Sequence, residues 1–303
     1  MGDPDLRMAY RACRRMQLRH DPTYYWATLR LPRSVRPAVQ ALYGFVRGAD
    51  ELVDGANRAA DPTARRRALD RWQDELEQGI ANGSSRHPVI AALVDAGRRH
   101  DLPLDELSAY MDSMRLDCGP VRVRTHAELD RYMRGSAGAV GLIMAPLLDV
   151  PLELHSAMAE LGTAFQLTNF IRDVREDYEL DRIYLPTDDL ARCGTSVDDI
   201  AARRVTNGLR TLLAAEVDRA RNLFEDTTSL HEAMNPSVRR GVVLARSVYE
   251  RILDRVEALE FDVLAHRVRV PPWQLGPAAF AALAPRSRSA SGRYAAQVRR
   301  RPQ

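Results

Sequence analysis

Apolar positions along this chain recur three and four residues apart, the period of an amphipathic helix, and they do so almost from end to end. Residues 5–19 alternate apolar and basic positions at that spacing and predict a first helix; residues 20–25 read as a loop. Leu31-Pro32 opens a second helix, which carries Asp50 and Asp54 and which Gly55 ends. Asp61-Pro62 is a cap followed by proline at the first helical position, and it starts a helix to about residue 81. After the turn Asn82-Gly83-Ser84-Ser85, shorter helices follow near residues 88–99 and 104–116, the latter with Asp112 and Asp117. Thr125-His126-Ala127-Glu128 matches a capping box and starts a helix through Gly141, and Pro151 opens a long one. Ser196 and Asn235-Pro236 mark two further starts. No stretch alternates with period two between turn signals, so the pattern argues against an α/β sheet. It predicts a single all-α domain over residues 1–284 and a basic tail over 285–303.

The chemistry concentrates in residues 166–186, QLTNFIRDVREDYELDRIYLP. On a helix, Gln166, Asn169, Asp173 and Asp177 step along one face at spacings of three, four and four. A solvated acidic face is the ordinary reading of that spacing. On an exposed helix the two aspartates repel by about 0.2–0.5 kcal/mol. Buried at ~6 Å and an effective dielectric near 20, they repel by roughly 3 kcal/mol. Phe165, Leu167, Phe170, Ile171 and Val174 are apolar enough to bury most of this helix, and a second pair, Asp50 and Asp54, is embedded the same way in YGFVRGADELVDG. Acids crowded twice need a compensating cation, and hard oxygen ligands select Mg²⁺ or Mn²⁺. Two such helices facing each other suit a substrate rich in negative oxygen. Arg47, Arg172, Arg182 and Tyr184 stand near enough in sequence to reach the same mouth.

Between the acidic helices lies YMRGSAGAVGL, whose Gly135, Gly138 and Gly141 cost helix propensity, about 1 kcal/mol each against alanine. Two explanations stay open: close helix packing, or room for an apolar substrate along a wall continued by Leu142, Ile143 and Met144. An apolar cavity closed at one end by magnesium suits a carbocation reaction, which water would quench.

A net charge of +3 argues against a strong polyanion binder, so nucleic acid is not an expected partner. All 44 basic residues are arginine, a compositional bias. Cys13, Cys118 and Cys193 are odd in number and far apart, fitting neither a disulfide framework nor a zinc site and pointing to a reducing cytoplasm. The N-terminus lacks a signal-peptide core, and the longest apolar run, residues 137–148, falls short of the ~20 residues needed to cross a bilayer. The expected place is the cytoplasm, with peripheral contact at the inner membrane face as the open alternative. The tail carries Arg286, Arg288, Arg293, Arg299, Arg300 and Arg301 and no acid; it reads as disordered and solvated, with an anionic-lipid patch as the other reading. Phosphate-binding loops, dinucleotide fingerprints, nucleophile elbows and zinc-protease motifs are missing, and the seven histidines are scattered.

Five strings, Thr23-Tyr24-Tyr25, ALYGFVRGADELVD, YMRGSAGAVGL, QLTNFIRDVREDYELDRIYLP and FDVLAHRVRVP, together resemble the squalene/phytoene synthases over about residues 10–271. The ending is more similar to phytoene synthases. The resemblance implies an isoprenoid-synthase helical bundle with a central apolar cavity. It implies a prenyltransferase that condenses two geranylgeranyl diphosphates head to head through a presqualene-type cyclopropyl intermediate, in carotenoid biosynthesis. By position, Asp50, Asp54, Asp173 and Asp177 would bind Mg²⁺, and Arg47, Arg172 and Tyr184 would hold diphosphate with Thr23 and Tyr24 nearby. Gln166 and Asn169 would line the mouth, Tyr132, Ser136, Val140 and Gly141 the cavity, and Tyr43 and Arg182 would join the substrate contacts. Glu51 stands where the family commonly has a further Asp, and Ser136 where many relatives have Val. Two alternatives keep the same metal motifs: a terpene synthase that ionises and cyclises one prenyl diphosphate, and a squalene-type enzyme using farnesyl diphosphate. A third, a non-catalytic helical partner, gives no reason for crowded acids.

Overall fold

The computed structural model describes residues 4–268, so the basic tail and the end of the FDVLAHRVRVP string lie outside the described residues. The all-α expectation holds. The helices are α1 (Pro4–His20), α2 (Pro22–Thr28), α3 (Arg36–Val53), α4 (Pro62–Asn82), α5 (Pro88–His100), α6 (Glu106–Leu116), α7 (His126–Met133) and α8 (Ala139–Leu147). They continue as α9 (His155–Arg172), α10 (Val174–Glu179), α11 (Thr187–Arg192), α12 (Val197–Ala201), α13 (Asn207–Asp226), α14 (Ser229–Ala233) and α15 (Pro236–Ala258). At the centre α9 packs against α8, α13 and α15, while α1, α3 and α5 pack on one another. One apolar core runs through the whole, from Ala9 and Cys13 to Val263 and Leu264.

The caps act as the sequence predicts. Asp61 accepts from the Thr63 and Ala64 amides, Asn235 from Ser237, and Ser196 closes a full capping box with Asp199. Thr125 accepts from the Glu128 amide, but the Glu128 carboxylate reaches one residue further back, to the Arg124 amide at 2.7 Å.

Four local differences matter. Residues 20–25 are not a loop: His20 ends α1, Asp21 is a one-residue break and residues 22–25 are helical, because Asp21-Pro22 repeats the cap-then-proline signature and the Asp21 carboxylate accepts from the Tyr24 amide at 2.8 Å. α3 begins at Arg36, with Pro37 in its first turn, because Leu31 and Pro32 are spent in tight turns (Leu31 N–H to Thr28 O, 3.1 Å; Val35 N–H to Pro32 O, 3.2 Å). The long acidic helix bends at Asp173 (φ −104°, ψ 19°), although Asp173 N–H to Asn169 O and Asp177 N–H to Asp173 O, both 2.8 Å, carry helical bonding across the bend. Finally, a two-residue parallel ladder pairs β1 (Val121–Arg122) with β2 (Arg182–Ile183). It is too short to leave a period-two trace in the sequence.

Of the glycines between the acidic helices, Gly135 and Gly138 sit in a π-helical turn, Arg134–Gly138, that joins α7 to α8, and Gly141 lies in the first turn of α8. A Cβ on Gly141 would lie 2.4 Å from Met158 O on α9, and one on Gly135 would lie 2.6 Å from Ala109 O on α6. Gly162 answers from the α9 side, where a Cβ would lie 2.6 Å from Ala137 O. Packing therefore explains Gly135 and Gly141, and an open space at their Cβ positions does not. Gly141→Ala is expected to destabilise by about 1–3 kcal/mol in urea denaturation, since the strain of forcing α8 off α9 exceeds the roughly 1 kcal/mol gain in helix propensity.

Candidate active site

Asp50 stands on the last turn of α3 and Asp54 caps it, while Asp173 occupies the bend between α9 and α10 and Asp177 lies one turn on. All four line one cavity of about 240 Å³, together with Asp117, Tyr132, Gln166, Asn169, Phe170, Arg172, Arg182 and Tyr184. The acids of α3 and those of the α9–α10 bend thus meet in a single cavity.

The four acids fall into two kinds. Asp54 is held by Arg182, which donates Nη1 at 2.8 Å and Nη2 at 2.5 Å to its two oxygens. Asp173 is held by its neighbour Arg172, with Nε donating at 2.7 Å. Among the described residues Asp50 and Asp177 have no guanidinium partner. Burial, helped by the charges of Asp173 and Asp117 against the pull of Arg182, pushes the Asp177 carboxyl up to about 8. Burial likewise pushes Asp50 up to about 6, although Tyr110 Oη donates to its Oδ1 at 3.1 Å and Arg47 is near.

Asp117, which the sequence reading noted but gave no role, ties the walls together. It is buried just past α6 and accepts Tyr132 Oη at 2.6 Å and Tyr184 Oη at 2.7 Å, while its backbone carbonyl accepts Arg182 Nη2 at 2.8 Å. Burial raises its carboxyl, and Arg182 and the two phenols partly offset this. Phe170 stacks on Tyr184 at a centroid distance of 4.0 Å and sets that ring. The available signal was Tyr110 and Asp117 two turns apart on an otherwise apolar helix face.

Below lies a second cavity of about 370 Å³, mostly apolar, lined among others by Tyr24, Val46, Ser136, Val140, Gly141, Met144, Leu148, Met158, Phe165 and Tyr249. Gln166 and Asn169 line both cavities and form the step between them. Several expected positions shift. Tyr132 belongs to the acidic cavity, because its hydroxyl is drawn to Asp117. Of Leu142, Ile143 and Met144, only Met144 reaches the apolar wall; Ile143 is wholly buried in the core. Thr23 lies in α2. Tyr43 packs on Tyr24 at a centroid distance of 5.8 Å and lines neither cavity. Arg47 also lies off both linings: it pairs with Glu51, and its buried Nε has no partner. That pairing turns Glu51 toward Arg47 and away from the acidic cavity.

A divalent cation fits this donor set in one specific sense. Among the described residues no three acids converge on a single point, so the protein offers no closed all-protein cage. It offers two half-buried carboxylates that no guanidinium among the described residues pairs with, Asp50 and Asp177, lining the same cavity, with Asp54 and Asp173 a turn away. That suits Mg²⁺, which keeps waters and takes one or two carboxylates plus substrate phosphate oxygens.

Residues 18–274 match the squalene/phytoene synthase family. The chain belongs to that family. It is 36% identical to the 15-cis-phytoene synthase of Synechocystis sp. over 87% of this chain and 81% of the relative. It is 34% identical to the phytoene synthase of Thermus thermophilus over 90% and 93%. The fold matches squalene synthase HpnC from Alicyclobacillus acidocaldarius with a TM-score of 0.79 and 31% identity, covering 86% of this chain and 97% of that one. As a member of the squalene/phytoene synthases it is a prenyltransferase of isoprenoid biosynthesis. Among the described residues no helix is long and apolar enough to cross a membrane.

Proposed function

We propose that this enzyme joins two molecules of geranylgeranyl diphosphate head to head into phytoene, through a presqualene-type cyclopropyl diphosphate and with Mg²⁺ or Mn²⁺ as cofactor. The observation that carries the reading is the acidic cavity stepping at Gln166 and Asn169 into an apolar one. Diphosphate and isoprenoid chain each find their own solvent there. The names of the Synechocystis and Thermus relatives support the C40 product.

Asp50, Asp54, Asp173 and Asp177 would hold the metal, which when bound supplies positive charge to the diphosphate oxygens as the carbon–oxygen bond breaks. Arg172 and Arg182 would orient the diphosphate, each already carrying an anion in this cavity. Arg47 and Tyr184 would complete that set from its rim and wall. Tyr24, Val140, Gly141 and Met144 keep the cationic chain away from water. Release as phytoene then needs only loss of a proton.

A squalene-type reading on farnesyl diphosphate draws support from the likeness to HpnC. One experiment separates them: the protein with Mg²⁺ and either geranylgeranyl or farnesyl diphosphate, products read by mass spectrometry. A C40 hydrocarbon from the first is expected. Only C30 product would favour the second reading, and a cyclic product from one diphosphate would refute both.

A further inference from the structure

The net charge of +3 averages over a segregated surface, and among the described helices α1 is the most one-sided. Its sequence, PDLRMAYRACRRMQLRH, holds five arginines and a single acid, Asp5 at its start. Ala9, Cys13 and Gln17 are buried against the bundle. At 100° per residue, Arg7, Met8, Arg11, Arg14, Arg15, Leu18 and Arg19 fall within an arc of about 140° on the other side. All seven are exposed. Met8 and Leu18 are large apolar side chains left 59% and 44% exposed among those cations. Beside this arc opens a surface groove of about 370 Å³, where Leu6, Pro37 and Ala38 give an apolar floor and Arg7, Arg11 and His100 stand on the lining.

We infer that this face of α1 and its groove are a docking surface for an anionic lipid bilayer. Cations alone would suit any polyanion. Exposed Met8 and Leu18 and an apolar groove within the same face suit a surface that offers anionic headgroups above hydrocarbon, the arrangement of an interfacial helix. A segment of this same chain is a poor alternative occupant: residues 269–303 contain arginines and no acid, so they repel this face. The position also makes sense for the site. α1 runs straight into α2, whose Tyr24, Ala27 and Thr28 line the apolar cavity. The two helices are joined internally, Gln17 Nε2 donating to Thr28 Oγ1 at 2.9 Å and Arg14 Nη2 to Tyr25 Oη at 2.8 Å. Docking through α1 brings one wall of the isoprenoid cavity to the lipid boundary, a placement that rests on the proposed prenyl substrate. The binding itself does not rest on it.

Sedimentation of the full chain with vesicles tests this without using activity. Phosphatidylcholine vesicles containing about 30% phosphatidylglycerol should pull the protein down, and pure phosphatidylcholine should not. Roughly 0.5 M NaCl should release most of it. Arg7→Glu, Arg11→Glu and Arg15→Glu together should weaken binding by at least about 100-fold, at roughly fivefold for each charge lost. Met8→Ser with Leu18→Ser should remove the fraction that survives salt. Turnover of detergent-dispersed geranylgeranyl diphosphate should be unchanged in both variants, which marks them as folded. Binding that persists after the charge reversal would move the contact to residues 269–303 and overturn the assignment. So would equal binding to neutral vesicles, or capture of duplex DNA without capture of vesicles. Should the protein prove inactive on prenyl diphosphates yet sediment as described, the function reading fails and the docking surface stands.

Discussion

Asp177→Asn is expected to slow turnover by more than a hundredfold while making the metal-free protein harder to unfold. The first half follows from the proposed metal role: losing about 3 kcal/mol of transition-state stabilisation costs over two orders of magnitude in rate. The second half follows from burial. In the folded chain the Asp177 carboxyl titrates near 8, against 3.8 for a free aspartate, because burial and the charge of Asp173 penalise its ionised form. A group whose folded value is raised contributes its full stability below the unfolded value and loses it as pH climbs through the folded one. The wild type therefore carries a growing penalty between about pH 4 and pH 8. An amide carries none, so the gain in melting temperature should be larger at pH 8 than at pH 5. Calorimetry at the two pH values, with chelator present, reads it directly. Equal melting at both would mean Asp177 already has a partner. Adding Mg²⁺ should raise the wild-type melting temperature and leave the variant nearly unmoved, since a ligand that binds only the folded state stabilises by mass action.

Arg182→Ala should be the most disruptive single change in the acidic cavity. Its side chain is only 7% exposed, grips Asp54 through both terminal nitrogens and holds the Asp117 carbonyl. Removing one partner of a buried pair leaves the other charge uncompensated, a loss of 3–5 kcal/mol in fully buried cases. Asp54 is 38% exposed, so water screens part of the loss and about 3 kcal/mol is the expected fall in urea denaturation. Arg182→Lys should recover little of it, because an ammonium cannot match both carboxylate oxygens at once. Full stability in the lysine variant would show that charge alone matters at this position.

How much of this was legible beforehand divides along a physical line. Periodicity exposed the helices, and the spacing of Asp50 with Asp54 and of Asp173 with Asp177 exposed two acidic walls, because both signals repeat every few residues. Pairings across long separations leave no such repeat. Arg182 and Asp54 are 128 residues apart, and Tyr184 and Asp117 are 67 apart. That is why the sorting of four similar aspartates into two paired and two unpaired ones emerged only in three dimensions. Asp117, a lone acid just past a helix end, carried too little pattern to stand out. The Asp21-Pro22 start of α2 was readable by the rule that found Asp61-Pro62, but aromatic Tyr24 and Tyr25 masked it. Gly135 and Gly141 looked equally like packing and like space, and only the approach of their Cβ positions to Ala109 O at 2.6 Å and Met158 O at 2.4 Å chose between them.

The small parallel ladder has a consequence for how freely this sequence can drift. It is made by main-chain atoms, Val121 N–H to Asp181 O and Val123 N–H to Ile183 O, both 3.0 Å, so it does not depend on which side chains stand there. Arg182 and Tyr184 are aimed from that ladder, and Asp117 sits four residues before it. Substitutions at exposed Arg122 can therefore accumulate without moving the acidic mouth. Proline at 121 or 123, which deletes an amide donor, is the change a lineage keeping this chemistry could not carry.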